Sequence, residues 1–109
     1  MKKLILIMSL LIIVGCNGNI KKTKINISSA QCGMCAVAIE SALNKIDGVR
    51  EALVNMETLK VTVAYDVEQT GLTSLESAIS NAGYQANETL SNAEVYNTLP
   101  TCCKFPEDR

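Results

Sequence analysis

The sequence contains no histidine and no tryptophan, and only one phenylalanine and two prolines among its 109 residues. Histidine is the usual general base near neutral pH, so no nucleophile of this chain is paired with an imidazole. We therefore expect no enzyme activity. Both prolines, Pro100 and Pro106, lie late in the sequence, so none of the earlier strands or helices is interrupted by proline.

Long apolar runs are absent after the first 15 residues, and the run at the start is itself short. Met1, Lys2 and Lys3 are followed by residues 4–14, which are apolar apart from Ser9. A membrane-spanning helix needs about 20 apolar residues. This run instead has the length and flanks of a secretory signal, and residues 1–15 are predicted to be a cleaved signal peptide.

The signal ends in Ile13-Val14-Gly15-Cys16, which resembles the lipobox of bacterial lipoproteins. The resemblance implies cleavage before Cys16, lipidation of its sulfur and stable anchoring by several acyl chains. Residues 16–23 are then a lipidated tether, and the protein is exported and anchored to the cell membrane or outer membrane, facing the periplasm or the exterior. An ordinary signal peptide that leaves Cys16 free is the alternative.

A basic surface is also lacking. Loss of Lys2 and Lys3 with the signal leaves eight basic and eleven acidic residues, a net charge of −3. Nucleic-acid binding requires clustered basic residues and, for single strands, stacking aromatics. We therefore expect no nucleic-acid partner.

What the sequence does contain is a regular alternation of strand and helix patterns between residues 24 and 89. Strands are predicted at residues 24–28, 49–55, 59–65 and 84–89, and helices at residues 35–46 and 73–82, the second with a Thr73-Ser74-Leu75-Glu76 capping box. The order βαββαβ predicts an α+β, ferredoxin-like sandwich with a four-stranded antiparallel sheet and two helices on one face. We expect a monomer, followed by a polar tail at residues 90–109 with a short helix near residues 92–99.

Two thiols, Cys32 and Cys35, lie at the turn between the first strand and the first helix. The free N–H groups at a helix N-terminus favour thiolate over thiol. Such a pair can bind a soft metal ion, exchange disulfides or form a structural disulfide. The residues alone leave these three possibilities open.

The chain around this turn resembles the heavy-metal-associated domain. The resemblance rests on Cys32-Gly33-Met34-Cys35, on the helix segment at residues 39–43, on Gly48-Val49 and on Ala82-Gly83-Tyr84. The family includes copper chaperones, modules of metal-transporting ATPases and the periplasmic mercury-binding protein. Membership implies that Cys32 and Cys35 bind Cu(I) or Hg(II) in a shallow, exposed loop and pass the ion to a partner's thiols.

The sequence departs from the family pattern near this loop. Where the family usually has a methionine two residues before the first cysteine, this chain has Ala30. Met34 lies inside the loop and is predicted to be near the site without replacing that methionine. Tyr84 occupies the place of a lysine in soluble copper chaperones and of an aromatic in many transporter and mercury-binding members, and is either a site contact or a core residue.

Cys102 and Cys103 have no counterpart in the family pattern. Neighbouring cysteines bridge each other only with strain, so each is expected to seek another sulfur or a metal ion. If the tail folds back over the loop, they could add metal ligands or form disulfides with Cys32 and Cys35. An unrelated structural pair is the alternative.

The function predicted from these features is binding of a soft ion, Cu(I) or Hg(II), through Cys32 and Cys35, with capture or transfer in the cell envelope. The expected partner is a metal-transporting membrane protein or another thiol-bearing metal donor or acceptor. An envelope thiol-disulfide exchange protein is the main rival, although Gln31 precedes Cys32 where thioredoxin-type enzymes have an aromatic. A lipoprotein that only docks a partner is the third possibility.

Overall fold

The computed structural model describes residues 19–109, which form a three-stranded sheet, two main helices and a structured C-terminal segment. In chain order the elements are β1 (Ile20–Asn26), α1 (Gly33–Asn44), β2 (Val49–Asn55), β3 (Lys60–Asp66), α2 (Leu72–Asn81) and α3 (Ala93–Asn97). Two 3₁₀ helices follow at Thr101–Cys103 and Pro106–Asp108. The predicted signal peptide and Cys16 lie outside the described residues.

The sheet is antiparallel throughout, with β3 between β1 and β2. β1 pairs with β3 over its full length, from Ile20 opposite Asp66 to Asn26 opposite Lys60. β2 and β3 form the predicted hairpin, in which Asn55 is paired with Lys60 and its side chain accepts the backbone N–H groups of Glu57 and Thr58. β1 begins four residues earlier than predicted, so residues 20–23 belong to the sheet and not to a free tether.

The predicted fourth strand at residues 84–89 is not formed among residues 19–109. This segment contains only an isolated bridge between Ala86 and Thr89, and Asn87 has a φ of +52°. A positive φ turns the chain away from the extended conformation. The segment still lies at the β1 edge, where a fourth strand of a ferredoxin-like sheet would pair, because the Asn87 N–H donates to the Asn26 carbonyl at 2.8 Å.

Both helices pack on one face of the sheet and enclose a single core. Their inward residues are aliphatic and fully buried against the inward residues of β1 and β3: Ile39, Leu43, Leu75, Ile79, Ile25, Val61 and Val63. Burying each such side chain contributes about 1.5–3 kcal/mol. The helix-on-sheet arrangement is the predicted α+β architecture and is consistent with the ferredoxin-like fold.

The second helix starts differently from the prediction. Gly71, not Thr73, is its N-cap residue, and no side chain caps it. Glu76, the predicted acceptor of the capping box, instead accepts a hydrogen bond from the Asn87 side chain at 2.9 Å. Within the described residues, none of the helices has the length and apolar character needed to cross a membrane.

Candidate metal centre

The Cys-x-x-Cys segment lies where the connection from β1 enters α1. Cys32 is the N-cap residue of α1, with an extended backbone, and its carbonyl accepts the N–H groups of Cys35 and Ala36. This geometry brings both sulfur atoms to the same end of the helix, where Sγ of Cys32 lies 3.5 Å from Sγ of Cys35. The sequence prediction that the two thiols share one turn therefore agrees with the structure.

The loop is covered, in contrast to the shallow, exposed loop that the resemblance implied. Cys35 is completely buried and Cys32 is half-buried. The cover is the 3₁₀ helix Thr101–Cys103, which places Sγ of Cys103 at 2.6 Å from Sγ of Cys35 and Sγ of Cys102 at 3.1 Å from Sγ of Cys32. The four sulfur atoms of Cys32, Cys35, Cys102 and Cys103 are called the sulfur cluster below.

The four sulfur atoms of the cluster belong to residues that differ in solvent exposure. Cys103 is buried with Cys35, whereas Cys102, like Cys32, is half-buried. Met34, predicted to lie near the site, is 59% exposed, and its Sδ is 3.7 Å from Sγ of Cys102. A ligand or partner in solution therefore meets Met34, Cys102 and Cys32 first.

Tyr84 and Ala30 are both buried in the core. Tyr84 is 1% exposed, so it is a core residue, and its side chain is also next to the Cys103 and Cys35 thiols. Burial, reinforced by these two thiols, raises the pKa of Tyr84 and keeps its hydroxyl neutral. Ala30 is buried in the same core, so the small residue that replaces the family methionine is enclosed and not a surface position.

The thiols differ in their ionisation. The Cys102 thiol donates to Sγ of Cys32 and lowers the pKa of Cys32 to about 6, against a smaller, opposite effect of burial. The same hydrogen bond raises the pKa of Cys102, and burial raises the pKa of Cys103. Cys32 is therefore ionised more readily at neutral pH than Cys102 and Cys103, and thiolate is the form that binds metal ions.

The sulfur cluster also satisfies a simple geometric requirement for metal binding. Sγ atoms of Cys32, Cys102 and Cys103 all lie within 4.8 Å of one another. The sequence pattern indicates these cysteines but does not place the tail pair, because Cys35 and Cys103 lie 68 positions apart. The chemistry of this donor set fits soft metal ions, which prefer thiolate ligands.

Comparison with known proteins agrees with this fold and site. The model of the family described as "Heavy-metal-associated domain" matches residues 24–85, and the chain belongs to this family. The match includes Cys32, Cys35 and Tyr84 and ends before Cys102 and Cys103.

Two of the similar proteins are copper proteins by name, and a third is MerP. The copper chaperone CopZ of Staphylococcus aureus is 43% identical over 60 residues, which are 55% of this chain and 88% of the chaperone. The N-terminal domain of a potential copper-translocating P-type ATPase from Bacillus subtilis, solved in the Cu(I)-loaded state, superimposes with a TM-score of 0.61 at 35% identity, covering 62% of this chain and 85% of that domain. Oxidized MerP from Ralstonia metallidurans gives a TM-score of 0.60 at 25% identity, covering 62% and 94%.

Proposed function

We propose that this protein is a copper carrier that binds Cu(I) through Cys32 and Cys35 and passes it to another thiol protein. The observation that supports this most directly is the 3.5 Å separation of the two Sγ atoms at the N-terminus of α1, in a domain 43% identical to a copper chaperone. Transfer needs an ion that an incoming thiolate can reach. The half-buried Cys32 offers that access, since it is the more accessible member of the pair.

Cu(I) binding by this pair is tested with the reduced full chain under anaerobic conditions, in competition with a chromogenic Cu(I) chelator. We expect one Cu(I) per chain, and loss of that binding in Cys32→Ser/Cys35→Ser. Cys16→Ser is the matched control, because it makes the same chemical change at a cysteine outside the family match. Unchanged Cu(I) binding in the double variant would show that the ion is not held at this turn.

The proposed partner is a metal-transporting membrane protein or another thiol-bearing acceptor. Similarity to the Cu(I)-loaded N-terminal domain of a potential copper-translocating ATPase supports this, since like domains can present matching pairs of thiols. Mixing the Cu(I)-loaded protein with such an ATPase domain and separating the two by ion exchange measures the transfer. Copper that stays entirely with the donor would argue against a carrier role.

Hg(II) is the second candidate cargo, favoured by the structural likeness to MerP. Thiolate pairs bind both ions, and selectivity depends on geometry and supply. Titration of the Cu(I)-loaded protein with Hg(II) in the presence of a competing thiol distinguishes the two. Displacement of Cu(I) at an equimolar amount of Hg(II) favours the mercury assignment.

Thiol-disulfide exchange is a different candidate function. It is favoured by the lowered pKa of Cys32 and by the 3.1 Å contact between Sγ of Cys32 and Sγ of Cys102. An insulin-reduction assay tests it. Catalysed reduction that depends on Cys32 and Cys35 would place exchange above copper carriage, whereas a rate equal to the uncatalysed one would remove it.

We also propose that the protein works in the cell envelope, held by lipid on Cys16. The support is the sequence alone, namely the basic start, the 11-residue apolar run and the lipobox-like Ile13-Val14-Gly15-Cys16. Mass spectrometry of the N-terminal peptide of the membrane fraction should show acyl mass on Cys16. An intact Met1 in the mature protein would contradict the anchor.

A further inference from the structure

The C-terminal segment, residues 90–109, is fixed to the domain before it reaches the sulfur cluster. The Ser80 hydroxyl donates to the Leu90 carbonyl at 2.6 Å, and the Ser80 carbonyl accepts the Asn92 N–H at 2.9 Å. Further on, the Leu99 side chain packs directly over Gly83. These contacts connect the segment to the end of α2 and set the direction from which Cys102 and Cys103 approach α1.

The segment also has internal order. Asn92 caps α3 by accepting two backbone N–H groups. The Tyr96 hydroxyl donates to Asp108 at 2.7 Å and accepts the Phe105 N–H at 2.9 Å. These bonds join residues on both sides of the 3₁₀ helix Thr101–Cys103 and hold this helix in place. The folded C-terminal segment, residues 90–109, is called the cap below.

The cap places one thiol against each thiol of the family motif. Sγ of Cys103 contacts Cys35 and Sγ of Cys102 contacts Cys32, at 2.6 and 3.1 Å, and the Cys32–Cys103 and Cys102–Cys103 distances are 3.7 and 4.0 Å. Four sulfurs at such distances cannot all ionise unless a cation offsets their mutual repulsion. A soft cation at their centre is the simplest way to use all four as thiolates.

We propose that Cys102 and Cys103 complete a closed, sulfur-only site in which the ion is held by up to four thiolates, and that this site accepts tetrahedral divalent ions such as Cd(II) as well as Cu(I). The proposal rests on the proposed function, because it adds ligands to the same pair of cysteines. The protein is then a metal-retaining carrier, whose cap must open or exchange ligands before the ion leaves.

The observed geometry is near that of such a site. A tetrahedral four-thiolate site with bonds of about 2.3 Å has sulfur–sulfur edges of roughly 3.8 Å. Three of the six sulfur–sulfur separations, at 3.5, 3.7 and 4.0 Å, match these edges. The contacts of 2.6 and 3.1 Å would open by roughly 1 Å on binding. Both short contacts join the cap to the α1 turn, so a small outward shift of the cap opens them together.

Access to the bound ion is one-sided in this arrangement. Cys35 and Cys103 are buried, whereas Cys32 and Cys102 are half-buried and the thioether of Met34 lies beside Cys102. An incoming thiolate of a partner reaches the ion between Cys32 and Cys102. These two are therefore the ligands that exchange first, and Cys35 and Cys103 are the ligands that retain the ion.

The test uses the full chain with Cys16→Ser, so that the four thiols of the sulfur cluster are the only ones present, with a non-thiol reductant and no oxygen. Co(II) and Cd(II) are added separately, because the visible absorption of Co(II) and the thiolate charge-transfer band of Cd(II) report the number of sulfur ligands. We expect one ion per chain and the spectra of four-thiolate coordination. Spectra of two-thiolate coordination would overturn the proposal.

Cys102→Ser is the first variant, since Cys102 is half-buried and its replacement leaves the packing of Cys103 intact. Cys102→Ser/Cys103→Ala is the second. We expect Cd(II) affinity to fall by on the order of 10- to 100-fold or more, since loss of an outer-shell partner alone has such an effect. Affinities equal to the parent's would overturn the proposal, and circular dichroism of both variants checks that they fold.

Cu(I) competition separates this proposal from the proposed function. Both tail variants should still bind one Cu(I) per chain but lose it faster to the chelator than the parent does. If the tail variants hold Cu(I) as tightly as the parent, the added ligands are refuted while the copper carrier stands. If Cys32→Ser/Cys35→Ser holds Cu(I) unchanged, the copper carrier itself is refuted.

Discussion

Cys32 lies at the accessible side of the sulfur cluster, and its Sγ accepts a hydrogen bond from the Cys102 thiol. The Cys102 thiol is the main donor, and it lowers the pKa of Cys32 to about 6. A group whose pKa is lower in the folded chain contributes its full stabilisation above its pKa in the unfolded chain, which is 9.0 here. That stabilisation is lost as the pH falls through about 6. The thiolate is therefore present over the whole neutral range.

This ionisation predicts a distinct pH profile of alkylation in the metal-free, reduced protein. Iodoacetamide should modify Cys32 with a midpoint near pH 6, whereas Cys102 should require more alkaline pH because its own pKa is raised. Peptide mass spectrometry after timed alkylation measures both. Cys102→Ala removes the donor and should move the Cys32 midpoint upward, while Cys102→Ser keeps a hydroxyl donor and should move it less. A Cys32 midpoint near 9 in the parent would contradict this account.

Tyr84 supports the cluster by packing, and its substitution should show this in stability. Tyr84→Ala removes a fully buried ring and should lower the free energy of unfolding by about 3–5 kcal/mol. Tyr84→Phe keeps the ring and should lower it by only about 1 kcal/mol. Urea denaturation of the metal-free protein measures both. Equal effects of the two substitutions would mean that the hydroxyl, and not the ring, is the stabilising part.

The sequence was sufficient to identify the Cys-x-x-Cys pair but not its environment. Spacing alone places Cys32 and Cys35 in one turn, because three residues at a helix start span a single turn. The contact that covers the pair from outside the family domain is made by Cys103, which lies 68 positions from Cys35. No local sequence pattern specifies a contact at that separation. The sequence therefore indicates that the tail can cover the loop but does not determine that it does.

Helices and strands with a regular apolar periodicity are predicted correctly from the sequence, whereas the strand predicted in the polar segment at residues 84–89 is not formed. The hairpin and both helices follow their apolar spacing, as in Val61 and Val63 on β3. The predicted strand at residues 84–89 contains Gln85, Asn87 and Glu88, and Asn87 tolerates the positive φ that ends an extended chain. Its side chain accepts the Asn26 N–H at 2.9 Å, and its own N–H donates to the Asn26 carbonyl, so the last residue of β1 is paired without a fourth strand.

The junction between α2 and the C-terminal segment depends on Gly83. Its φ is +99°, and a Cβ there would lie 3.1 Å from the Leu99 side chain. Gly83→Ala should destabilise the protein by about 1–2 kcal/mol through the unfavourable backbone conformation, and should loosen the cap. Thermal unfolding and limited proteolysis after residue 90 measure the two effects.

Gly33→Ala is the matched control for that substitution. Gly33 has no atoms within 4 Å of an added Cβ, no positive φ, and lies in the first turn of α1. Alanine should be neutral or slightly stabilising there, because it is the better helix former. A loss of stability at Gly33 equal to that at Gly83 would show that the effect at Gly83 is not specific to its conformation.

For the molecule as a whole, the sulfur cluster joins the start of α1 to a cap that follows the last element of the matched family domain. A metal ion bound there links segments that are distant in sequence, so the folded chain binds it more tightly than the unfolded chain does. The free energy of unfolding should therefore increase with the concentration of free ion, by up to about 2.7 kcal/mol at 100 times the Kd.

Thermal unfolding with increasing Cd(II) measures this linkage. The midpoint should rise with Cd(II) in the parent and stay constant in Cys32→Ser/Cys35→Ser, which lacks half of the sulfur cluster. A rise of the same size in that variant would locate the stabilising ion elsewhere. Mg(II), which prefers oxygen ligands, is the control ion and should leave the midpoint unchanged.

The separation of 70 positions between Cys32 and Cys102 has a consequence for biogenesis. A chain that is made from its N-terminus presents Cys32 and Cys35 well before Cys102 and Cys103 emerge. During that interval the first pair has no cover and is open to oxidants and to any passing metal ion. The pair is covered only after α2 has folded and the Leu99 side chain has packed against Gly83. The newly made protein therefore has an uncovered Cys32–Cys35 pair before it can enclose a metal ion.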